Sequence, residues 1–221
     1  MERKTGPGKQ LLQRKEPTQA RGRRIIGEIL EATHRVLQRA GPAGITTPGI
    51  AVEAGVSVGA IYHYFPNKES IILSLYQAKL ADIRSVVERP IEPIEGDWRA
   101  GLRDWYQAIK SHEAAIGFDV AMNEAMDHFP SLKEVSREHA SNQARTIAGH
   151  LRRLGSDWPD DDLLDVALQA YFLNSSLWLY WAHKGQPQAG SIERFADALA
   201  ALVAPALEQR RSAEKSLSAH A

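Results

Sequence analysis

The chain has 221 residues, 43% hydrophobic and 24% charged, enough apolar material for one large folded domain or two modest ones. It has no cysteine, which excludes disulfides, zinc–thiolate centres and thiol catalysis. The formal net charge is zero, yet residues 1–70 hold 11 Lys and Arg against 6 Asp and Glu, while residues 71–221 hold 16 against 21. A neutral chain with a basic front end suits a polyanionic partner for that end. No window approaches the ~18 consecutive apolar residues of a membrane span, and the basic N-terminus lacks the apolar stretch of a secretory signal. A soluble, cytoplasmic protein with no membrane partner is the expectation.

Residues 1–21 are rich in Lys, Arg, Gln, Gly and Pro without apolar periodicity and read as a disordered basic arm. A helix is expected from about Arg23 to Ala40, because Ile25, Ile26, Ile29, Leu30, Thr33, Val36 and Leu37 recur at three- and four-residue spacing. Gly41-Pro42 stops it. Thr46-Thr47-Pro48 then supplies a threonine N-cap followed by proline in the first turn of a short helix, about 48–54. Gly55 ends that helix, and Ser57 caps another over about 58–64. Two short helices joined by Ala-Gly-Val-Ser form a helix-turn-helix pattern. Phe65-Pro66 closes the second helix, and Asn67 caps a long one from Lys68 to about Glu88.

The remainder reads as helical, with helices near 97–114, 117–128, 131–154, 160–183 and 191–210 and a polar tail over 211–221. No convincing alternating strand occurs. The fold class is all-α: a three-helix, helix-turn-helix domain over 22–68 and a larger helical domain over 69–210, connected by the 68–88 helix.

The stretch AGVSVGAIYHYFPNKES at 54–70 carries the chemistry. Gly55 offers the turn its positive φ, and Ser57 can satisfy the first amides of the second helix. Gly59 and Ala60 are small enough for a close approach to DNA. Tyr62 and Tyr64 can reach phosphate oxygens with their hydroxyls, and Lys68 can pair with another phosphate. The competing reading is structural: Tyr62 and Phe65, three apart, could both be core, and His63 could simply face solvent.

These residues resemble a known family. The run from Arg24 to Lys68 is similar to the DNA-binding domain of TetR-family bacterial regulators, through Ile29-Leu30, Gly41, Thr46-Thr47, Ile50-Ala51, Ala54-Gly55-Val56-Ser57, Gly59, Tyr62, Tyr64-Phe65 and Lys68-Glu69. The resemblance implies that Thr47 lies beside the DNA backbone and that Val58, Gly59, Ala60 and His63 meet bases or the groove wall. It implies phosphate contacts for Tyr62, Tyr64 and Lys68, and a buried anchor in Phe65. Pro48-Gly49 departs from the polar or charged pair the family often carries there, which Arg21, Arg23 and Arg24 could offset. The recognition helix has no Arg, Asn or Gln, the usual bidentate base readers, so grip on phosphates is expected to outweigh base reading.

The resemblance further implies a palindromic double-stranded DNA operator, a small-molecule effector and a homodimer formed through helices about 160–183 and 191–210. The segment DLLDVALQAYFLNSSLWLYWAHKG, apolar nearly all round, agrees with burial on more than one side. Candidate lining residues of an apolar or aromatic effector pocket are Trp105, Ile109, Phe118, Met122, Met126, Phe129, Phe172 and Leu173, with Gln143, Asn174 and Ser175 as polar partners. The alternative is a regulator of the same fold controlled by a protein partner. His112-Glu113, Glu124 with His128, and His139 with His150 are the histidine groupings. No HExxH, nucleophile elbow or phosphate loop is found, so no catalytic residue, metal or cofactor is expected.

Overall fold

The structure, a computed structural model, describes residues 20–218, with side chains described through Glu208. The basic arm expected over 1–21 lies outside the described residues up to position 19, as do the last three residues of the expected tail. The described residues form nine helices: α1 Ala20–Gly44, α2 Thr47–Ala54, α3 Val58–Tyr64, α4 Lys68–Val87, α5 Trp98–Ala115, α6 Val120–His128, α7 Lys133–Arg153, α8 Asp160–Lys184 and α9 Ser191–Ser218. The all-α expectation holds, with most ends within three residues of the sequence reading. Gly41 interrupts α1 with φ 64°, a left-handed conformation that only glycine adopts freely, so the first regular helix stops where Gly41-Pro42 predicts. At the far end, α9 continues through the segment read as a tail, across Pro205 and on to Ser218. None of the described helices is long and apolar enough to cross a membrane.

The chain divides into two compact units. One comprises the residues up to Asp82 together with Phe118–Ser136; the other comprises Ile83–Gly117 and the residues from Arg137 onward. The core of the first is built from Ile29, Ala32, Val36 and Leu37 of α1, then Ile45, Ile50, Ile61 and Phe65, with Ile71, Ile72, Leu75 and Tyr76 of α4, all buried. The sequence reading assigned 118–136 to the larger domain. It groups with the first unit because α6 packs on α1 and its cap is held there. Asp119 caps α6 by accepting from the Met122 amide at 3.2 Å, and it also takes hydrogen bonds from Gln38 Nε2 (2.7 Å) and His34 Nε2 (3.1 Å). Burial pushes the Asp119 carboxyl up, but the hydrogen bonds from His34 and Gln38 and the Met122 amide together bring it below its ordinary value.

In the second unit α9 packs on both α5 and α8. Arg103 of α5 meets Asp197 of α9 at 2.6 Å, and Arg99 pairs with Glu208; both pairs are half-exposed and add little stability. The carbonyl of Val87, the last residue of α4, accepts from His150 Nε2 (2.9 Å) and Trp105 Nε1 (3.3 Å). A carbonyl can only accept, so His150 carries its proton on Nε2, and Nδ1 accepts from Arg153 at 2.5 Å. Burial first, with the nearby Arg153 charge, keeps this imidazole neutral by lowering its pKa.

Close packing also fixes one glycine. A Cβ on Gly101 of α5 would lie 2.1 Å from the Glu92 carbonyl oxygen and 2.8 Å from its carbon. Backbone, unlike a side-chain tip, cannot swing aside. Alanine is the better helix former by about 1 kcal/mol, yet Gly101→Ala should destabilise the protein, by about 1–3 kcal/mol for the overpacking. A lower urea midpoint with unchanged slope checks this; a higher midpoint contradicts it.

Candidate nucleic-acid interface

The helix-turn-helix is set by local rules acting in series. Thr46 is the N-cap of α2, with extended backbone and a hydroxyl that accepts from Gly49 N at 3.1 Å, and Pro48 sits in the first turn. Gly55 (φ 66°) closes α2: its amide donates to Val52 O and the Val56 amide to Ala51 O, the paired bonds of a left-handed helix stop. Ser57 starts α3 at once, its hydroxyl accepting from Ala60 N at 3.1 Å. Phe65 ends α3 in an extended conformation and is fully buried, as is Ile61 one turn earlier.

Anchoring Ile61 and Phe65 turns the opposite face of α3 outward. Val58 is 36% and Tyr62 45% exposed; Ser57, Gly59 and His63 are exposed too, while Ala60 and Tyr64 are half-buried. The His63 ring meets the Tyr64 ring edge-on at 4.8 Å. Gly59 is not required by packing: a Cβ there would meet nothing closer than Ser57 Oγ at 3.8 Å. A glycine inside a helix costs about 1 kcal/mol relative to alanine, so its use at a surface with room to spare calls for a reason outside the chain.

Two residues sit differently from what the resemblance implies. Thr47 is buried, and the exposed threonine at the start of α2 is Thr46. Lys68 donates from Nζ to the Ile45 carbonyl at 3.0 Å and lies 5.0 Å from the centre of the Phe129 ring. It therefore ties the start of α4 to the loop before α2 and to the residue after α6. A lysine in the first turn opposes the helix dipole, and the Ile45 carbonyl and Phe129 face offset that penalty. Among the basic residues of α1, Arg21, Arg23 and Arg24 are exposed. Arg35 and Arg39 instead grip Glu53 of α2 at 2.8 and 3.1 Å, and their hydrogen bonds hold its carboxyl below the usual range.

The candidate effector residues fall into both units. Phe118, Met122, Met126 and Phe129 are buried in the first. Trp105 and Ile109 are buried in the second, where Gln143, Leu173, Asn174 and Ser175 are half-buried. The Ser175 hydroxyl donates within its own helix, to Tyr171 O at 3.1 Å. Phe172 is 58% exposed, on the same face of α8 as Leu179 at 59%. Sequence reading weighed Glu113 with His112 and passed over Lys110, with which it forms a buried pair at 2.7 Å. Their signal was position: both fall on the stripe of α5 that carries Trp98, Leu102, Tyr106 and Ile109. Among the described residues, no group of three or more His, Asp or Glu is placed to hold a metal.

An all-α chain with a capped helix-turn-helix and an outward α3 face has the build of a helix-turn-helix regulator. Residues 29–75 match the sequence model for bacterial regulatory proteins of the tetR family. It is 26% identical over 165 residues to the HTH-type transcriptional regulator BetI of Cronobacter sakazakii, covering 72% of this chain and 80% of that protein. It is 32% identical over 92 residues to the HTH-type transcriptional regulator EthR of Mycobacterium tuberculosis, covering 39% of this chain and 42% of the relative, less than half its length. The crystal structure of a TetR-family regulator from Mesorhizobium loti superposes with a TM-score of 0.62 at 21% identity, over 84% of this chain and 98% of that one. That likeness establishes the fold.

Proposed function

We propose that the protein is a cytoplasmic, homodimeric transcriptional regulator, without enzymatic activity, that binds a palindromic operator through α3 and leaves it when a small effector binds the second unit. The observation that carries the reading is the outward face of α3, with Val58, Gly59, Tyr62 and His63 displayed over the buried anchors Ile61 and Phe65. The bare Gly59 lets the backbone come close to the groove, Val58 and Ala60 can sense thymine methyls, and His63 can donate to a guanine. Tyr62 and Tyr64 supply hydroxyls for phosphates. Lys68 positions α4 and offers its remaining N–H groups. A dimer seated on its operator excludes other proteins from that DNA, so repression is the default action.

Dimerisation draws on α8. Phe172 and Leu179 stand seven residues apart and well exposed, while Leu163, Val166, Ala167, Ala170, Leu177, Trp178 and Trp181 of the same helix are buried. A twofold partner laid on the exposed stripe buries it and presents a second α3 to the other half of a palindrome. Phe172 thus serves the dimer instead of the pocket. Phe172→Glu/Leu179→Glu should give a folded monomer by analytical ultracentrifugation, with operator affinity at least about tenfold lower because one of two half-sites is lost. A variant that stays dimeric and binds normally contradicts this assignment.

A further inference from the structure

The interior of the second unit carries hydrogen-bonding capacity that its own chain leaves unused. Lys110 is 1% exposed, and among the described residues its ammonium bonds only Glu113 Oε2, at 2.7 Å. Its other neighbours are the rings of Tyr106 and Trp178, whose centres lie 5.3 and 5.1 Å away. An ammonium has three N–H donors, so two make no hydrogen bond among the described residues. The Tyr106 hydroxyl is buried and bonds nothing, although the Glu113 charge acts on it. On α8, one turn before Trp178 and on the same side, Asn174 Oδ1 is likewise buried without a partner.

Buried polar atoms are nearly always satisfied, and each exception calls for an explanation such as a bound molecule. A buried ion pair adds little net stability compared with apolar residues of the same volume, so this one is poorly explained as a structural element. We infer that Lys110, Tyr106 and Asn174 form the polar end of the effector site, and that it takes an uncharged, largely apolar molecule bearing a carboxamide or hydroxyl head. This deepens the effector reading above and rests on it.

The charge and donor inventory selects that class. Lys110 and Glu113 already cancel, so an incoming carboxylate or ammonium would bury a net charge with no counter-ion. The two unused Lys110 N–H groups need an acceptor, the Asn174 oxygen needs a donor, and the Tyr106 hydroxyl can be either. A carboxamide or hydroxyl supplies both roles without charge. Trp178 and the buried Trp105 and Ile109 provide apolar surface for the rest of the molecule.

The test uses the full chain without DNA and four matched probes: benzamide, benzyl alcohol, benzoate and benzylammonium. Binding is read by calorimetry and thermal shift on the wild type, Tyr106→Phe and the double variant Lys110→Met/Glu113→Leu. Tyr106→Phe only deletes an unbonded hydroxyl, so it keeps the fold in reach even if the double variant does not. The neutral probes should bind wild type at least about tenfold more tightly than the charged ones, and Tyr106→Phe should shrink that preference. The inference is overturned if no probe binds, if the charged probes bind as well or better, if the preference survives in Tyr106→Phe, or if benzamide-soaked crystals show only water at the Tyr106 hydroxyl. DNA binding of the same samples separates the two readings. Normal DNA binding with no probe preference removes this inference alone, whereas lost DNA binding with the preference intact removes the regulator reading alone.

Discussion

Phe65→Ala is expected to lower stability by about 3–5 kcal/mol, the usual range for truncating a fully buried phenylalanine. Phe65 has no exposed surface, so the ring's entire contact area is lost and a cavity remains beneath α3. The position also ends α3, where the Phe65 amide donates to Ile61 O at 2.8 Å and the backbone turns extended. Loss of the ring thus frees α3 to fray at its C-terminal end, beside Tyr62 and Tyr64. Since whole domains are stable by only about 5–15 kcal/mol, DNA binding should fall even at temperatures where most helix remains. Urea denaturation of wild type, Phe65→Leu and Phe65→Ala checks the account. Leucine should cost less than half as much as alanine, and a small loss for alanine would mean that Phe65 is not the anchor.

The second large effect is Lys110→Ala. Removing the ammonium leaves the Glu113 carboxylate, itself buried, without its counter-charge, and breaking one half of a buried pair costs about 3–5 kcal/mol. Replacing both charges by apolar residues of similar volume removes the desolvation cost along with the attraction. Lys110→Met/Glu113→Leu should accordingly lie within about 1 kcal/mol of wild type or be more stable. The signature is a large non-additivity in the cycle of Lys110→Met, Glu113→Leu and their double variant. Burial, acting against the attraction of Glu113, lowers the Lys110 pKa. A single variant as stable as wild type would show that the pair is solvated.

Much of the fold was legible because it rests on local chemistry. Gly41-Pro42, Thr46 with Pro48, Gly55 and Ser57 each fix a helix end within a few bonds of themselves, so the helix-turn-helix could be placed from sequence to within a residue or two. Phe65 as a buried anchor was legible through the family resemblance. What depended on distant partners was not. Nothing adjacent to Asp119 in sequence points to His34 and Gln38, 85 and 81 residues away, so the grouping of α6 with α1 stayed hidden. Thr46 and Thr47 are chemically alike, and only the three-dimensional packing decides which is buried. Phe172 is 58% exposed, and an aromatic on an apolar helix gives no sign in the sequence of which of its faces is covered. Lys110 and Glu113, three apart on α5, carry no sign in the sequence of the Trp178 ring of α8 beside which the ammonium lies.

The central claim is that α3 holds DNA mainly through phosphate contacts, with Tyr62 among the gripping residues. Its most direct test is fluorescence-anisotropy titration of wild type and Tyr62→Phe on a duplex selected from random DNA, repeated at rising salt. Wild-type affinity should fall steeply and log-linearly with salt, with a slope of about 0.9 per phosphate neutralised. Tyr62→Phe should bind about thirtyfold more weakly on preferred and unrelated duplexes alike, as expected for a lost hydrogen bond of about 1 kcal/mol at each of two half-sites. Affinity that barely changes with salt, or a Tyr62→Phe variant indistinguishable from wild type, would contradict it.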